Sequence, residues 1–320
     1  LHWMVHSFPT RRSSDLSQTP LVEVFPAAGE PRLYTQVQPG DAELILRRHF
    51  APASALTRWR EALDRWVESI LTDAGRSRSA ELQAPGGDRL AAEFLRPQLR
   101  ITTDRLDAID PLDGAEYGRG GGFEMIRRCL VENDPEAVIE RIAASGLRGR
   151  GGAGFPTGLK WRHVRAAPGP VKYAIVNGDE GDPGAFMDRM LLESAPHRIV
   201  EGLLIAAHAV GATEGIFYVR AEYPLALKRL LAAIRQAEEA GWLGDRVGGT
   251  AWSFRVRIVE GAGAFVCGEE SALLASIEGR RGHPRRRPPY PSERGLFGCP
   301  TLINNVETLA AVPWILREGA

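Results

Sequence analysis

The stretch VKYAIVNGDEGDPGAFMDR, residues 171–189, decides the fold. Residues 171–177 read as a strand, and three acids, Asp179, Glu180 and Asp182, follow it at once. Downstream, helical segments at 186–193 and 198–210 lead to a second strand at 215–220. The next helix is opened by Pro224 and closed by Gly241, with Leu227, Leu230, Leu231 and Ile234 on one face. Trp252, Phe254, Val256 and Ile258 then alternate, which predicts a strand over 252–258, and a glycine turn leads into a helix over 269–278. Upstream, helices at 123–132 and 135–144 precede a long glycine-rich loop, 146–158. Strands alternating with helices imply an α/β fold with a parallel sheet and helices on its faces. Ligands in such sheets bind beyond the carboxyl ends of strands, here in the loops after Asn177 and Val259.

The chain has 320 residues, enough for about two domains at roughly 150 residues each. Forty Lys and Arg balance forty Asp and Glu, which argues against a broadly polyanion-binding surface. Three cysteines, Cys129, Cys267 and Cys299, make neither a disulfide framework nor a CxxC site, so a reducing, cytoplasmic compartment is expected. The richest apolar run, 199–217, is broken by Glu201, His208 and Glu214, short of the roughly 18 residues that a membrane span needs. Residues 1–19 lack the apolar core and cleavage site of a signal peptide and resemble translated vector sequence; they are expected to be non-native or disordered. Residues 20–50 read as two short strands (Leu21, Val22, Val24; Leu33, Tyr34, Val37) and a helix from about Asp41, the tail of a small α/β unit. Residues 51–106 read as a linker, and 107–320 as the main domain.

Four stretches carry chemistry. The loop GLRGRGGAGFPTGLKW, 146–161, has six glycines in its first thirteen residues, which let a backbone approach a flat ring or a phosphate closely. Gly149, Gly151 and Gly154 spell GxGxxG, but a helix rather than a strand precedes them, which disfavours a standard dinucleotide turn. A Walker loop also fails, because Leu159 separates Gly158 from Lys160. The acids after residue 177 suit ribose hydroxyls, a flavin edge or a metal, or are simply solvated; the spacing is not that of an EF-hand. In EGAGAFVCGEESALLASIEG, 260–279, Glu269 and Glu270 open a helix whose dipole favours carboxylates, and Cys267 reads as a small buried residue. The last stretch, 279–309, has five arginines within 280–287, where a nucleic-acid patch is disfavoured by the neutral chain and the single nearby Tyr290. Its Asn304 and Asn305 are paired amides able to donate and accept.

In this order the four stretches resemble the NADH-binding flavoprotein subunit of respiratory complex I, the 51-kDa type, and its soluble relatives in NAD-linked hydrogenases and formate dehydrogenases. The resemblance covers 107–320, and residues 20–50 are similar to the end of a thioredoxin-like two-iron ferredoxin domain that lacks cluster cysteines. It implies an α/β fold with a Rossmann-like three-layer parallel sheet and glycine-rich FMN and NADH loops, preceded by a helical linker and the thioredoxin-like remnant. It implies that Gly149, Gly151, Gly152 and Lys160 contact FMN along the glycine loop. Asn177, Asp179 and Glu180 would bond the flavin's polar parts, Gly268 and Glu269 would close the pocket, and Asn304, Asn305 and Thr308 would hold the phosphate end. For NADH it implies Phe155 and Tyr290 on adenine, Phe265 near the nicotinamide, Glu270 on the adenosine ribose, where a carboxylate disfavours NADP, and Asp182 as a further NADH-binding residue.

Departures from the family are Phe265 for Tyr, Asp182 for Glu, Gly178 for Ala and His163 for Phe. The implied reaction is hydride transfer from NADH to FMN with one-electron delivery to iron–sulfur partner subunits, with no catalytic side chain and no metal ligand in this chain. The family's four-iron cluster motif would lie beyond Ala320, so the chain is expected to be a fragment. The expected location is cytoplasmic, or peripheral to the inner membrane as part of a complex. The alternatives are a non-catalytic assembly module and an NADP-linked homologue.

Overall fold

The computed structural model describes residues 97–320, apart from 105, 107, 108 and 183, together with the backbone of three short strands nearer the amino end. Two compact units divide the chain, Leu1–Leu99 and Arg100–Ala320. In the first, β1 (Met4–His6), β2 (Leu21–Val24) and β3 (Arg32–Tyr34) form an antiparallel sheet in that order, with Val5 opposite Val22 and Glu23 opposite Leu33. The two strands expected within 20–50 are therefore present, and a strand inside residues 1–19 pairs with the first of them. Val37, the helix expected from Asp41 and most of the linker at 51–106 lie outside the described residues.

The second unit is built on a four-stranded parallel sheet in the order β6-β5-β4-β7, with β4 at Tyr173–Gly178, β5 at Glu214–Arg220, β6 at Arg255–Gly261 and β7 at Thr301–Asn305. Its helices, in chain order, are α1 (Gly114–Arg119), α2 (Glu124–Glu132), α3 (Pro135–Ala144), α4 (Thr157–Ala166), α5 (Met187–Ser194) and α6 (Pro196–Val210). Then come α7 (Pro224–Glu239), α8 (Glu270–Ile277), α9 (Pro291–Arg294) and α10 (Val306–Glu318). Local sequence sets many of these ends: Pro135, Pro196 and Pro224 start helices, Asp134 caps α3 by accepting from Ala137 N–H at 3.0 Å, and Gly211 stops α6 at φ +77°.

Three layers result, the α/β fold expected from the sequence. On one face Ile175, Ile216, Tyr218 and Ile303 pack with Leu273 and Leu274 of α8, Cys267 and Leu296. Their neighbours along the strands, Val176, Phe217 and Leu302, are equally buried and point to the opposite face, where α6 lies against β4. Every residue of α6 is buried, because α2, α3, α4, α7 and α10 surround it as well as the sheet. At its contact with α10 only glycine fits: a Cβ on Gly202 would lie 2.2 Å from Leu309 O.

The structure differs from the sequence reading in four places. Leu231 is exposed, because the buried stripe of α7 runs through Ala226, Leu230, Ala233 and Ala237 and turns Leu231 about 100° away from its centre. β6 starts at Arg255, while Phe254 before it exchanges backbone hydrogen bonds with Gly244, and Trp252 Nε1 donates to Ala212 O at 3.0 Å. The glycine loop ends earlier than expected, since α4 starts at Thr157 and seats Gly158 so close to Ala143 that a Cβ would lie 2.7 Å from its backbone. β7 and α10 come from 301–318, a stretch whose amides alone stand out in the sequence.

The chain runs β4, β5, β6 in one direction and then returns past β4 to add β7 on its other side. The reversal makes the carboxyl ends of β4 and β7 the topological switch point of the sheet, the crevice at which such sheets hold ligands.

Candidate functional site

Four chain segments meet at this crevice. The glycine loop is pinched at its base, where Gly149 N–H donates to Phe155 O and Thr157 N–H to Leu147 O, both at 2.9 Å. Its tip, Gly151 to Ala153, is exposed, and Gly152 and Gly154 have φ of +99° and +62°, conformations that favour glycine. Arg150 N–H donates to the buried Thr308 Oγ1 at 2.9 Å, which lays the loop across the start of α10. A Cβ on Gly151 would lie 3.5 Å from Asn305 Cβ.

Helix α4 holds the second wall. Lys160 Nζ pairs with Glu270 Oε1 at 2.6 Å and donates to Ile303 O at 3.0 Å, so it bridges α8 and β7. Trp161, fully buried, donates from Nε1 to Asn304 Oδ1 at 2.9 Å. Glu270 also meets Arg287 Nη1 at 3.5 Å, so the acid expected to disfavour a 2′-phosphate has two cationic neighbours. Glu269 is the cap of α8: its Oε2 accepts from Ser271 N–H at 2.8 Å and Ala272 N–H at 3.1 Å.

The acid loop after β4 is the floor. Asn177 Nδ2 donates to Gly268 O at 2.9 Å and its Oδ1 accepts from Asp179 N–H at 3.1 Å, which ties β4 to the turn Phe265–Gly268. Glu180 accepts from the backbone N–H groups of Asp188 and Arg189 at 3.1 and 3.0 Å. Asp179 is 8% exposed, yet neither of its side-chain oxygens has a hydrogen-bond partner. Burial pushes its carboxyl above the usual range; Arg220, 3.6 Å away, opposes that shift and Glu222 adds to it. Asp182, Phe155, Phe265 and Tyr290 are exposed around the rim.

The crevice therefore gathers the residues expected to hold FMN on its walls and floor. Several of them, Glu180, Glu269, Asn304 and Asn305, are already engaged in holding helices and strands together. Two residues of the site carry no marking in the sequence. Asp188, in the quoted stretch, is buried beneath the acid loop: its Oδ2 accepts from Asn305 Nδ2 at 2.5 Å and its Oδ1 from Glu307 N–H at 3.3 Å. Burial, reinforced by Glu180, pushes its carboxyl up to about 8. Arg220, the last residue of β5, reaches Asp179 from the neighbouring strand end. Only the folding of the chain makes either one a neighbour of the crevice.

The donor set fits FMN. A flavin ring offers an imide N–H between two carbonyls, and its tail offers hydroxyls and a phosphate. The unpartnered Asp179 carboxylate can accept from an N–H or O–H, whereas an unpaired buried carboxylate is otherwise costly. Gly268, whose Cβ would lie 3.5 Å from Asp179 Oδ2, leaves that approach open. Arg150 and the exposed glycine tip provide positive charge and N–H groups suited to a phosphate, whereas the Lys160 ammonium is already paired with Glu270.

Among the described residues no His, Cys, Asp and Glu cluster has the arrangement of a metal site, and no helix is long and apolar enough to cross a membrane.

The chain is similar to several known proteins. The chain is 48% identical over 215 residues to a subunit of the NADH-quinone oxidoreductase of Rhizobium meliloti (strain 1021), covering 66% of this chain and 51% of that protein. It is 48% identical over 225 residues to NADP-reducing hydrogenase subunit HndC of Solidesulfovibrio fructosivorans, covering 70% of this chain and 46% of that one. It is also 50% identical over 204 residues to NAD-reducing hydrogenase HoxS subunit alpha of Cupriavidus necator, with coverages of 63% and 34%. The chain thus spans about half or less of the length of these relatives. Among solved structures, an NAD+-reducing [NiFe]-hydrogenase in the H2-reduced state superposes with a TM-score of 0.59 at 31% identity, covering 95% of this chain and 44% of that chain. The Nuo51 FMN-binding domain family matches residues 142–314, more than half of the sequence and all four segments of the crevice, and the chain belongs to that family.

Proposed function

We propose that the chain is the FMN-binding part of an NADH-oxidising flavoprotein subunit, with the dinucleotide taken up on the open side of the crevice. The observation that carries this reading is the buried Asp179 carboxylate, unpartnered beside Gly268 at the switch point of a parallel sheet. The names of the relatives, subunits of NADH-quinone oxidoreductases and NAD-reducing hydrogenases, support it.

Asp179 and Asn177 would orient the flavin's polar edge, and Gly149, Gly151 and Gly152 would allow the backbone to lie close to it. Thr308, at the start of the helix α10 that Asn305 caps, holds the glycine loop in position for the phosphate end. When bound, FMN supplies a two-electron hydride acceptor that can pass electrons on singly. The protein's part is to bind, orient and exclude water, and no side chain need move a proton. Exposed Phe155, Phe265 and Tyr290 offer flat apolar surface to a dinucleotide's rings. Iron–sulfur subunits of a larger complex would take the electrons onward, with the assembly cytoplasmic or peripheral to the inner membrane.

One observation favours a second reading within the same chemistry. Glu270 is paired with Lys160 and faces Arg287, so its charge is compensated and NADPH is not strongly repelled. Purified chain titrated with FMN, followed by quenching of flavin fluorescence, then mixed with NADH or NADPH and ferricyanide, tests both readings. Retained FMN with NADH-dependent ferricyanide reduction is expected. Absence of both would return the chain to a non-catalytic assembly module, and equal rates with NADPH would establish the second reading.

A further inference from the structure

Arg220 and Asp179 end adjacent parallel strands: Arg220 closes β5, and Asp179 directly follows Gly178, which is paired with Val219. Strand register alone thus brings a guanidinium and a carboxylate together at the floor of the crevice. Both are more than nine-tenths buried, at 9% and 8% exposure. Arg220 Nε donates to Glu222 Oε2 at 2.6 Å and Nη2 to Gly263 O at 3.1 Å. Its Nη1 makes no hydrogen bond and stands 3.6 Å from Asp179 Oδ1.

The pair is flanked by two glycines. A Cβ on Gly181 would lie 3.1 Å from Arg220 Nη1 and 2.9 Å from the Phe265 ring, and one on Gly268 would lie 3.5 Å from Asp179 Oδ2. A carboxylate and a guanidinium buried together normally close to a direct, often bidentate hydrogen bond. Here they stop short of it, and three of their polar atoms remain without partners beside two positions that lack side chains.

We infer that Arg220 is a positioning residue of the crevice: through Asp179 it keeps a buried carboxylate charged and free to accept from a ligand N–H or O–H, while Glu222 draws the same guanidinium away and weakens that hold. This deepens the flavin reading and rests on it for the identity of the ligand. The charged groups that act on Asp179 are Arg220 and Glu222, from β5 and the loop after it, and Tyr218 of β5 lies close enough to feel its charge. Tyr218 hydrogen-bonds with Ser276, which leaves Arg220 and Glu222 as the charged pair with opposing effects.

The test is a carbon-13 carboxyl NMR titration of the full chain without flavin, with Asp179 assigned from Asp179→Asn. Removing a charge at this distance moves a buried carboxyl by about one pH unit or more. Arg220→Met is expected to move the Asp179 midpoint up by that amount, Glu222→Gln to move it down, and Arg220→Lys to restore most of the wild-type value. FMN affinity at a pH midway between the wild-type and Arg220→Met midpoints should fall by about threefold in Arg220→Met for a one-unit shift and recover in Arg220→Lys.

Midpoints that stay in place in both Arg220→Met and Glu222→Gln would overturn the assignment, as would unchanged FMN affinity in Arg220→Met. If Arg220→Met fails to fold, Glu222→Gln still decides, because that side chain is 60% exposed. A wild-type chain that binds no FMN at any pH would count against the flavin reading, and the NMR midpoints would still report on Arg220.

Discussion

Replacing Asp188 by Asn gives a stability effect with a defined pH signature. Burial, then Glu180, lifts the Asp188 carboxyl from the ordinary 3.8 to about 8, against the opposing hydrogen bonds from Glu307 and Asn305. The native chain therefore keeps a proton at Asp188 that the unfolded chain releases. Stability from this group is fully present below the unfolded value near 3.8 and is lost as pH rises through about 8. One proton released on unfolding is a slope of about 1.4 kcal/mol per pH unit, or roughly 4 kcal/mol between pH 4 and 7.

Asp188→Asn removes the titration and turns an amide NH2 towards either Asn305 Nδ2 or Glu307 N–H, both of them donors. At pH 5 the lost hydrogen bond makes the variant less stable by about 1–2 kcal/mol. Urea unfolding of both proteins at half-unit steps from pH 5 to 8 measures the difference. The gap is expected to close by about 1.4 kcal/mol per unit and to change sign between about pH 5.7 and 6.4. Parallel stability curves for the two proteins would refute the reasoning, because they would mean that Asp188 is not the group holding the proton.

Two substitutions probe the framework around the crevice. Gly202→Ala drives a methyl to 2.2 Å from Leu309 O, so α6 and α10 must separate; a loss of about 1–3 kcal/mol is expected in thermal or urea unfolding. Asn304→Ala leaves the buried Trp161 Nε1–H without an acceptor, with an expected loss of about 1–3 kcal/mol and a shift in tryptophan emission, whereas Asn304→Asp keeps an acceptor and should recover most of the stability.

Much of the framework is local and legible along the chain. Strand β4, helix α3 and the helix opened by Pro224 follow from apolar runs, proline starts and capping acids, which act over a few residues. Strand β7 is not legible: TLINN is short, and its burial comes from α4 and α10 packing against it rather than from its own pattern. Leu231 departs from its expected face because periodicity gives the width of an apolar stripe but not the angle at which α7 meets α6.

The candidate site divides in the same way. Glycine density in 146–158 and the acids after residue 177 are properties of composition and order, and together with the resemblance of the four stretches they point to a flavin and dinucleotide. The sequence does not separate acids that remain free for a ligand from acids that hold the fold. Glu180 and Glu269 accept from backbone N–H groups at helix starts, while Asp179, two residues beyond Asn177, is buried without a partner. That distinction depends on Arg220 and Gly268, which lie 41 and 89 positions away and become neighbours only through strand pairing and the turn after β6. The sequence by itself determined the alternation of elements, the family and the residue types at the crevice. Tertiary structure alone decided which side chains remain unpaired there, because burial and hydrogen-bond satisfaction are set by contacts between segments distant in the chain.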